Sequence, residues 1–188
     1  MSFYDDPESV KKYIEMCEGY DGSAIYSVLA KELPKQSSIL EFGSGAGLDI
    51  EFLKSDYNIT GSDLSNEFLR LCEEKHPEIP LLKLDVKKLD IKEKYNCIYS
   101  NKVLHHLTEA ELQNSLAQQV ELLSPGGIIA HSFWLGEESK VIEGLLFTYY
   151  GEAHLLDIIS RSYKIVTTLK YTEFEEGDSL FVIAQAAK

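Results

Sequence analysis

The 188-residue sequence is poor in the residue types that mark several protein classes. Its three cysteines are too few and too far apart for a disulfide framework or a zinc site, so we expect free, buried thiols. No apolar stretch approaches the roughly 20 residues of a membrane-spanning helix. The N-terminus also lacks the basic and apolar regions of a signal peptide. These absences predict a cytoplasmic protein.

Positive charge is also scarce. Lysine and arginine total 18 residues against 31 aspartates and glutamates, which gives a net charge of −13. Binding to a phosphate backbone depends on lysine and arginine, so we expect no nucleic-acid partner and no membrane partner. Neutral or cationic ligands suit such a chain better. No constellation of metal ligands stands out, so we also expect no metal site; the oligomeric state stays open.

Short apolar runs alternate with segments of helical periodicity, which is typical of a parallel sheet covered by helices on both faces. Five strands are predicted in this way between residues 39 and 133. Two later runs, 164–174 and 179–186, predict an antiparallel hairpin at one edge of the sheet. We expect the acidic residues 173–178 between them to form a solvated turn, and residues 138–146 and 151–161 to be helical.

Residues 41–47, with the sequence Glu-Phe-Gly-Ser-Gly-Ala-Gly, join a predicted strand to a predicted helix. Glycines at this point permit a tight turn and let the backbone approach a ligand. The dinucleotide pattern needs glycine at position 48, where this chain has Leu48. The carboxylate of Glu41 would repel a pyrophosphate and attract an ammonium or a sulfonium. The loop therefore favours a ligand such as S-adenosylmethionine, which carries both cations, over NAD.

Two further carboxylates follow the next two predicted strands. Asp63 comes 20 residues after Gly43, where a carboxylate can accept hydrogen bonds from two ribose hydroxyls. Asp85 ends the third predicted strand, where it can accept a hydrogen bond from an adenine amino group. Because parallel strands end at the same edge of a sheet, Glu41, Asp63 and Asp85 are expected around one crevice.

From residue 39 to the C-terminus, the sequence resembles the class I S-adenosylmethionine-dependent methyltransferases. The glycine motif, Asp63, Asp85, the segment 95–107 and the sequence Leu-Ser-Pro-Gly-Gly at 123–127 occur in the family's order. The resemblance implies a Rossmann-like, doubly wound α/β fold with helices on both faces. Its seven-stranded sheet has the order 3-2-1-4-5-7-6, with strand 7 antiparallel.

The resemblance also implies an organisation and a set of site residues. We expect one domain over residues 1–188, with a helical cover at 1–36, a cofactor-binding core at 37–135, and a helical lid and terminal hairpin at 136–188. S-adenosylmethionine is the implied cofactor and S-adenosylhomocysteine the product. Tyr13 and Tyr20 lie on predicted N-terminal helices, where closing over the cofactor and plain packing are equal alternatives. The other implied cofactor-binding residues are Glu41, Gly43, Ser44, Gly45, Asp63, Leu64, Asp85, Val86, Ser100 and Asn101.

The methyl acceptor is expected at the loops that follow strands four and five. Histidine titrates near neutrality, so His131, His105 and His106 are candidate general bases for an in-line displacement. For His105 and His106, packing or loop hydrogen bonding is the favoured alternative; for His131 the two interpretations are evenly matched. The aromatic residues Trp134, Tyr149 and Tyr150 are predicted to line either an acceptor pocket or the core. We expect a small neutral or cationic acceptor.

Two other functions stay open at this point. A protein that binds S-adenosylmethionine without turnover, as a sensor or a partner subunit, would carry the same carboxylates. An NAD-type oxidoreductase is disfavoured by Leu48, by Glu41 and by the terminal hairpin. The acceptor and its methylated atom are not specified by the sequence.

Overall fold

The computed structural model describes residue 4, residues 6–17 and residues 19–186. The six helices of this part are α1 (Pro7–Met16), α2 (Ser23–Glu32), α3 (Leu48–Leu53), α4 (Asn66–Lys75), α5 (Glu109–Leu122) and α6 (Glu152–Ser160). A short 3₁₀ turn spans Leu104–His106. The strands are β1 (Ser38–Phe42), β2 (Asn58–Asp63), β3 (Leu81–Lys83), β4 (Tyr95–Asn101), β5 (Leu123–Trp134), β6 (Ser139–Ile142), β7 (Leu145–Thr148), β8 (Tyr163–Tyr171) and β9 (Ser179–Ala186).

Seven of the strands form one sheet in the order β3-β2-β1-β4-β5-β9-β8. Strands β1 to β5 are parallel, whereas β9 runs antiparallel to both β5 and β8. When only these seven strands are numbered along the chain, their order across the sheet is 3-2-1-4-5-7-6, and strand 7, which is β9, is antiparallel to its neighbours. The fold class and strand order expected from the sequence are therefore confirmed.

The core consists of two apolar layers, one on each side of the sheet. On the α5–α6 face, Leu40, Ile98 and Ile129 pack with residues of α5 and α6. On the α2–α3 face, Ile39 and Tyr99 pack with residues of α2 and α3. Successive strand residues point to opposite faces, so neighbours in one strand belong to different layers. None of the described helices is long and apolar enough to cross a membrane.

Residues 138–146 differ from the sequence prediction, because they form strands rather than a helix. Strands β6 and β7 pair as a separate hairpin, in which Ile142 lies opposite Leu145. The two residues between them, Glu143 and Gly144, have positive φ angles of 51° and 82°. Both central residues of a tight hairpin turn of this type need left-handed backbone, which glycine supplies at little cost. Of the two helices predicted ahead of the terminal hairpin, only the second forms, as α6, and the first is replaced by the β6–β7 hairpin.

Candidate functional site

The glycine loop between β1 and α3 has three glycines with positive φ, Gly43, Gly45 and Gly47. A Cβ atom on Gly43 would lie 2.5 Å from Val103, and one on Gly47 would lie 2.5 Å from His76. A Cβ atom on Gly45 would meet no heavy atom within 4 Å. Packing therefore excludes side chains at Gly43 and Gly47. At Gly45 the space beside the backbone is open, so a ligand could approach the backbone there.

Glu41 is the penultimate residue of β1, on the α2–α3 face, and is only 2% exposed. Its Oε2 atom is buried and has no hydrogen-bond partner among the described residues. Burial, and then the nearby carboxylates of Asp49 and Asp63, raise the pKa of Glu41 well above its usual value. A buried carboxyl oxygen without a hydrogen-bond partner lowers the stability of the folded protein, so this oxygen is a candidate contact for a bound ligand.

Asp49 is a second buried carboxylate beside Glu41, and the sequence analysis did not find it. It accepts hydrogen bonds from the hydroxyls of Tyr26 and Tyr99 and from Nδ2 of Asn101. Burial raises the pKa of Asp49, while these three donors oppose the shift. Among the described residues, no positively charged side chain lies against either carboxylate. The only signal in the sequence was an acidic residue two positions after the last glycine of the motif.

Asn101 and Tyr20, two of the residues that the resemblance implied for the cofactor site, both lie in this cluster. Asn101 Nδ2 donates to the hydroxyl of Tyr20 at 2.7 Å, and its Oδ1 accepts from Ser132 at 2.6 Å. Tyr20 lies in the connection between α1 and α2 rather than on a helix. Tyr13 does lie on α1, where its ring meets the edges of Tyr4 and Phe68 at centroid distances of 5.6 and 5.7 Å.

The carboxylate of Asp63 fastens the end of β2 to the glycine loop. It accepts a hydrogen bond from the Gly45 amide at 3.0 Å and another from the Ser65 amide at 2.8 Å. Ser44 joins the same two elements, because its Oγ accepts from the Ser62 amide at 2.9 Å. The following residue, Leu64, is 56% exposed. These hydrogen bonds hold the end of β2 against the glycine loop that follows β1. We call this edge of the crevice, formed by residues 43–45 and Asp63, the rim.

Asp85 and Val86 follow β3 at the same edge of the sheet. Asp63 pairs with Lys83 in the β2–β3 register, so Asp85 stands two residues beyond that level. Its Oδ1 accepts from the Lys87 amide at 2.9 Å, and Val86 packs against the core of the α5–α6 face. Glu41, Asp63 and Asp85 thus lie at or just beyond the carboxyl ends of three adjacent parallel strands.

Of the two roles left open for His131, general base and packing, the structure favours packing. It lies in β5 on the α5–α6 face, opposite to the face of Glu41, and is fully buried. Its Nδ1 lies 2.8 Å from Ser100 Oγ, and its Nε2 lies 2.8 Å from Gln119 Oε1. Burial lowers the pKa of His131 to about 3. With both nitrogens bonded inside the core, His131 is a structural residue.

The same contact corrects the assignment of Ser100. Its hydroxyl bonds to His131 and therefore points away from the face that carries Glu41 and Asp49. Only the backbone of Ser100 remains on the rim of the crevice. Asn101, one residue further along β4, points to the other side and enters the cluster. Of these two neighbours, the structure brings only the Asn101 side chain into the candidate site.

His105 and His106 lie in the 3₁₀ turn after β4 and have different surroundings. His106 Nδ1 donates to the Leu146 carbonyl at 2.7 Å, and its Nε2 lies 3.2 Å from the hydroxyl of Tyr4. His105 is buried and stacks on Phe147 at a centroid distance of 5.1 Å. Neither of its nitrogens has a hydrogen-bond partner among the described residues. The hydrogen bond of His106 thus connects the turn after β4 to the β6–β7 hairpin. The two ring nitrogens of His105 make no hydrogen bond within the described residues.

Lys102 connects the end of β4 to the tip of the terminal hairpin, a contact that the sequence analysis missed. Its Nζ donates to Ser179 Oγ at 2.6 Å and to the Phe133 carbonyl at 3.2 Å, and it lies 3.3 Å from Glu173 Oε2. The Lys102 and Glu173 side chains are 9% and 18% exposed. Burial lowers the pKa of Lys102 to about 8 and raises that of Glu173. The acidic tip is therefore not simply the solvated turn that was expected.

The aromatic residues proposed for the acceptor pocket separate into two groups. Trp134 stands at the crevice edge, with Lys102 Nζ 3.4 Å from its ring centroid and Phe174 stacked at 5.5 Å. Tyr149 is half-buried and packs against Gly136 just beyond β5. Tyr150 is buried in the core of the α5–α6 face, edge-on to Phe133, so it belongs to the core.

No group of three or more potential metal ligands occurs within residue 4, residues 6–17 or residues 19–186.

Similar sequences carry the name methyltransferase. A family model described as a methyltransferase domain matches residues 39–127. An uncharacterized methyltransferase of Bacillus cytotoxicus is 29% identical over 128 residues, which cover 64% of this chain and 60% of that protein. Another from Oceanobacillus iheyensis is 27% identical over 179 residues, which cover 92% of this chain and 82% of that protein. The first match thus spans less than two thirds of its relative.

Solved structures share the fold. The 1,6-didemethyltoxoflavin-N1-methyltransferase of Burkholderia thailandensis, with bound 1,6-didemethyltoxoflavin and S-adenosylhomocysteine, has a TM-score of 0.78 at 19% identity, covering 96% of this chain and 86% of that one. The N-methyltransferase NodS of Bradyrhizobium japonicum, in complex with S-adenosylhomocysteine, has a TM-score of 0.76 at 15% identity over 100% of both chains. This strand order, the family match over residues 39–127 and these relatives support a class I S-adenosylmethionine-dependent methyltransferase.

Proposed function

We propose that the protein transfers a methyl group from S-adenosylmethionine to a small neutral or cationic acceptor. The observation that carries the proposal is the buried, unpartnered Oε2 of Glu41 beside the buried carboxylate of Asp49. Two carboxyl groups away from water, with no counter-charge, favour the entry of a cation. S-adenosylmethionine would supply an ammonium and, on its sulfonium, an electrophilic methyl group.

The other rim residues fit the same ligand. The open backbone at Gly45, with Gly43 and Ser44 around it, leaves space against the loop for the methionine end. Asp63 would accept from ribose hydroxyls, since its carboxylate already lies at the rim and bonds the Gly45 amide. Further contacts are proposed from neighbouring positions. These are Leu64, Asp85 and Val86 on the adenine side and the Asn101, Tyr20 and Tyr13 side chains near the methionine end.

We place the acceptor beyond the ends of β4 and β5. Trp134 at the edge and the buried His105 supply an aromatic surface and unused hydrogen-bonding atoms there. Methyl transfer depends mainly on alignment and on the exclusion of water, so these residues would orient the acceptor. His131 takes no part, because both of its nitrogens are bonded within the core.

The chemistry of the whole chain supports a small acceptor in a reducing compartment. The net charge of −13 favours a neutral or cationic acceptor over nucleic acid or an anionic membrane. Cys17, Cys72 and Cys97 are free thiols, which suits the cytoplasm.

The test is the formation of S-adenosylhomocysteine by the purified protein over a panel of small amines, phenols and thiols. Asp63→Ala should lower turnover at limiting cofactor by roughly ten- to a hundredfold, because it removes charge-assisted hydrogen bonds. Asp90→Ala, at an exposed position after β3, is the matched control and should leave turnover unchanged. Binding without turnover across a broad panel would instead favour a non-catalytic binding protein. Stabilisation by NAD and not by S-adenosylmethionine would overturn the assignment.

A further inference from the structure

His76 is a fully buried histidine that packs against the glycine loop. It caps the C-terminus of α4, where its amide donates to the Cys72 carbonyl at 2.8 Å. Its Nε2 lies 2.9 Å from the carbonyl oxygen of Gly47, at the end of the glycine loop. Because a carbonyl oxygen only accepts, Nε2 must carry a proton and donate it to Gly47.

Gly47 and His76 fit each other closely. A Cβ atom on Gly47 would lie 2.5 Å from Cδ2 and 2.8 Å from Nε2 of the imidazole, so only glycine leaves room for this ring. The Gly47 amide donates to the Ser44 carbonyl at 2.8 Å and closes the turn that presents Gly45. Gly45 in turn donates its amide to Asp63. The imidazole therefore contacts one end of the segment from Ser44 to Gly47. The other contacts of this segment, such as the bond from the Gly45 amide to Asp63, form the rim.

The far side of the ring is also held in place. His76 Nδ1 lies 3.2 Å from Lys54 Nζ and 3.5 Å from Glu51 Oε2, both on or just after α3. Lys54 itself lies 3.2 Å from Glu78 and 3.3 Å from Glu51. Contacts on both nitrogens fix the orientation of a side chain better than one contact does. The His76 ring is thus held in one orientation by contacts with α3 and with the glycine loop, while its backbone caps α4.

We propose that His76 is a positioning residue of the cofactor site, acting through its hydrogen bond to the Gly47 carbonyl. This inference rests on the proposed function, since it assumes that S-adenosylmethionine binds at the glycine loop. Without the bond, the Gly47 carbonyl keeps only the longer contact from the Glu51 amide, at 3.3 Å. The turn from Ser44 to Gly47 is then held less firmly and samples conformations in which the Gly45 amide and Asp63 are misaligned. Cofactor affinity should then fall, because binding must restore the order that the bond provided.

The test compares His76→Gln with His76→Asn. The Gln amide reaches the place of Nε2 and can still donate to Gly47, whereas the shorter Asn amide reaches only the place of Nδ1. Calorimetry should show the affinity for S-adenosylhomocysteine reduced about tenfold in His76→Asn and within about threefold of wild type in His76→Gln. Amide hydrogen exchange of residues 43–48 in the ligand-free protein should be faster in His76→Asn only.

Tyr163→Phe is the matched control. It removes another buried side-chain hydrogen bond to a backbone carbonyl, that of Leu116, at 2.8 Å, on the other face of the sheet. It should lower stability in urea without changing affinity or exchange at 43–48. Should His76→Asn not fold, Lys54→Met replaces it, with an expected affinity loss of about threefold.

Equal affinities of the Asn and Gln variants, or an unchanged exchange rate in His76→Asn, would show that His76 is only a packing residue. An unchanged affinity in Lys54→Met, where that variant is used, would overturn the inference in the same way. If the wild-type protein binds neither S-adenosylmethionine nor S-adenosylhomocysteine, the proposed function fails and this inference with it. Binding by wild type with no effect of the substitutions would overturn the inference alone.

Discussion

Among single residues, Glu41 and His131 show how differently two buried polar side chains can be satisfied. His131 uses both ring nitrogens in hydrogen bonds to Ser100 and Gln119. Glu41 keeps one buried carboxyl oxygen without a partner among the described residues. Folding selects against such an unpaired group unless something else requires it. In the proposed function, cofactor binding would require this carboxylate at position 41 at a cost in stability, whereas His131 serves stability alone.

Replacing Glu41 by Gln should stabilise the ligand-free protein and weaken cofactor binding. The folded-state pKa of Glu41 is raised above the usual value of 4.5, so wild type loses stability as the pH rises through that raised pKa. Glu41→Gln does not ionise and should be more stable by about 1–3 kcal/mol at neutral pH, with the difference vanishing near pH 4. Urea unfolding across this range measures it. Affinity for S-adenosylmethionine should fall at least about tenfold; a stability difference independent of pH would refute the explanation.

His131→Gln should affect stability and leave the cofactor site intact. The folded-state pKa of about 3 lies below the value of 6.5 for an unperturbed histidine, so stability is present above pH 6.5 and lost as the pH falls toward 3. The variant should lose about 1–3 kcal/mol at pH 7 and show a shallower loss between pH 6.5 and 4. His105, whose pKa is also lowered by burial, keeps part of the slope. Calorimetric affinity for S-adenosylhomocysteine should be unchanged; a tenfold loss would contradict the structural role.

Among the elements, the terminal hairpin is tied to β4 by the contact between Lys102 and Glu173. Lys102 has a positive φ of 55°, and its Nζ lies 3.4 Å from the centroid of the Trp134 ring and 2.6 Å from Ser179 Oγ. A lysine ammonium over an indole ring adds a cation–π contact to the ion pair. This contact holds the hairpin tip against the end of β5, where we place the acceptor.

Lys102→Met should destabilise the protein more than the double variant that also carries Glu173→Gln. Removing the ammonium leaves Glu173 largely buried and without its counter-charge, which we expect to cost about 2 kcal/mol after allowing for partial exposure. Neutralising Glu173 as well should recover about half of that loss. Urea denaturation of the wild type, both single variants and the double variant gives the coupling energy. Strictly additive effects would show that the two side chains do not interact.

At the scale of the whole molecule, the net charge of −13 should steer a cationic ligand toward the acidic site. S-adenosylmethionine carries one net positive charge, whereas S-adenosylhomocysteine carries none. The association rate of the former should fall several-fold between about 10 mM and 0.5 M salt, and that of the latter should change little. The single tryptophan, Trp134, is a fluorescent probe at the crevice edge for stopped-flow measurements. An equal salt dependence for both ligands would argue against steering.

The sequence by itself was enough to predict the sheet, its strand order and the glycine loop. Alternating strands and helices produce a doubly wound sheet, and the resemblance supplied the order that β9 and β8 complete. Strand-end carboxylates such as Asp63 were also found from spacing alone, because parallel strands bring their ends to one edge. Residues 138–146 were predicted wrongly, since a short apolar segment fits either a helix or a hairpin until its turn is known.

Only the tertiary structure decided which side chains enter the site. β4 is buried on both faces over most of its length, so its sequence lacks the alternation of apolar and polar residues that would reveal where each side chain points. Ser100 and Asn101 are neighbours in β4, yet one bonds to His131 in the core and the other to Asp49 at the crevice. The hydrogen-bond partners of Asp49 come from α2 and β4, 23 to 52 residues away in the chain, and the side-chain partners of Lys102 lie 31 to 77 residues away. Contacts across such separations are set by the packing of the whole sheet, which no local pattern encodes.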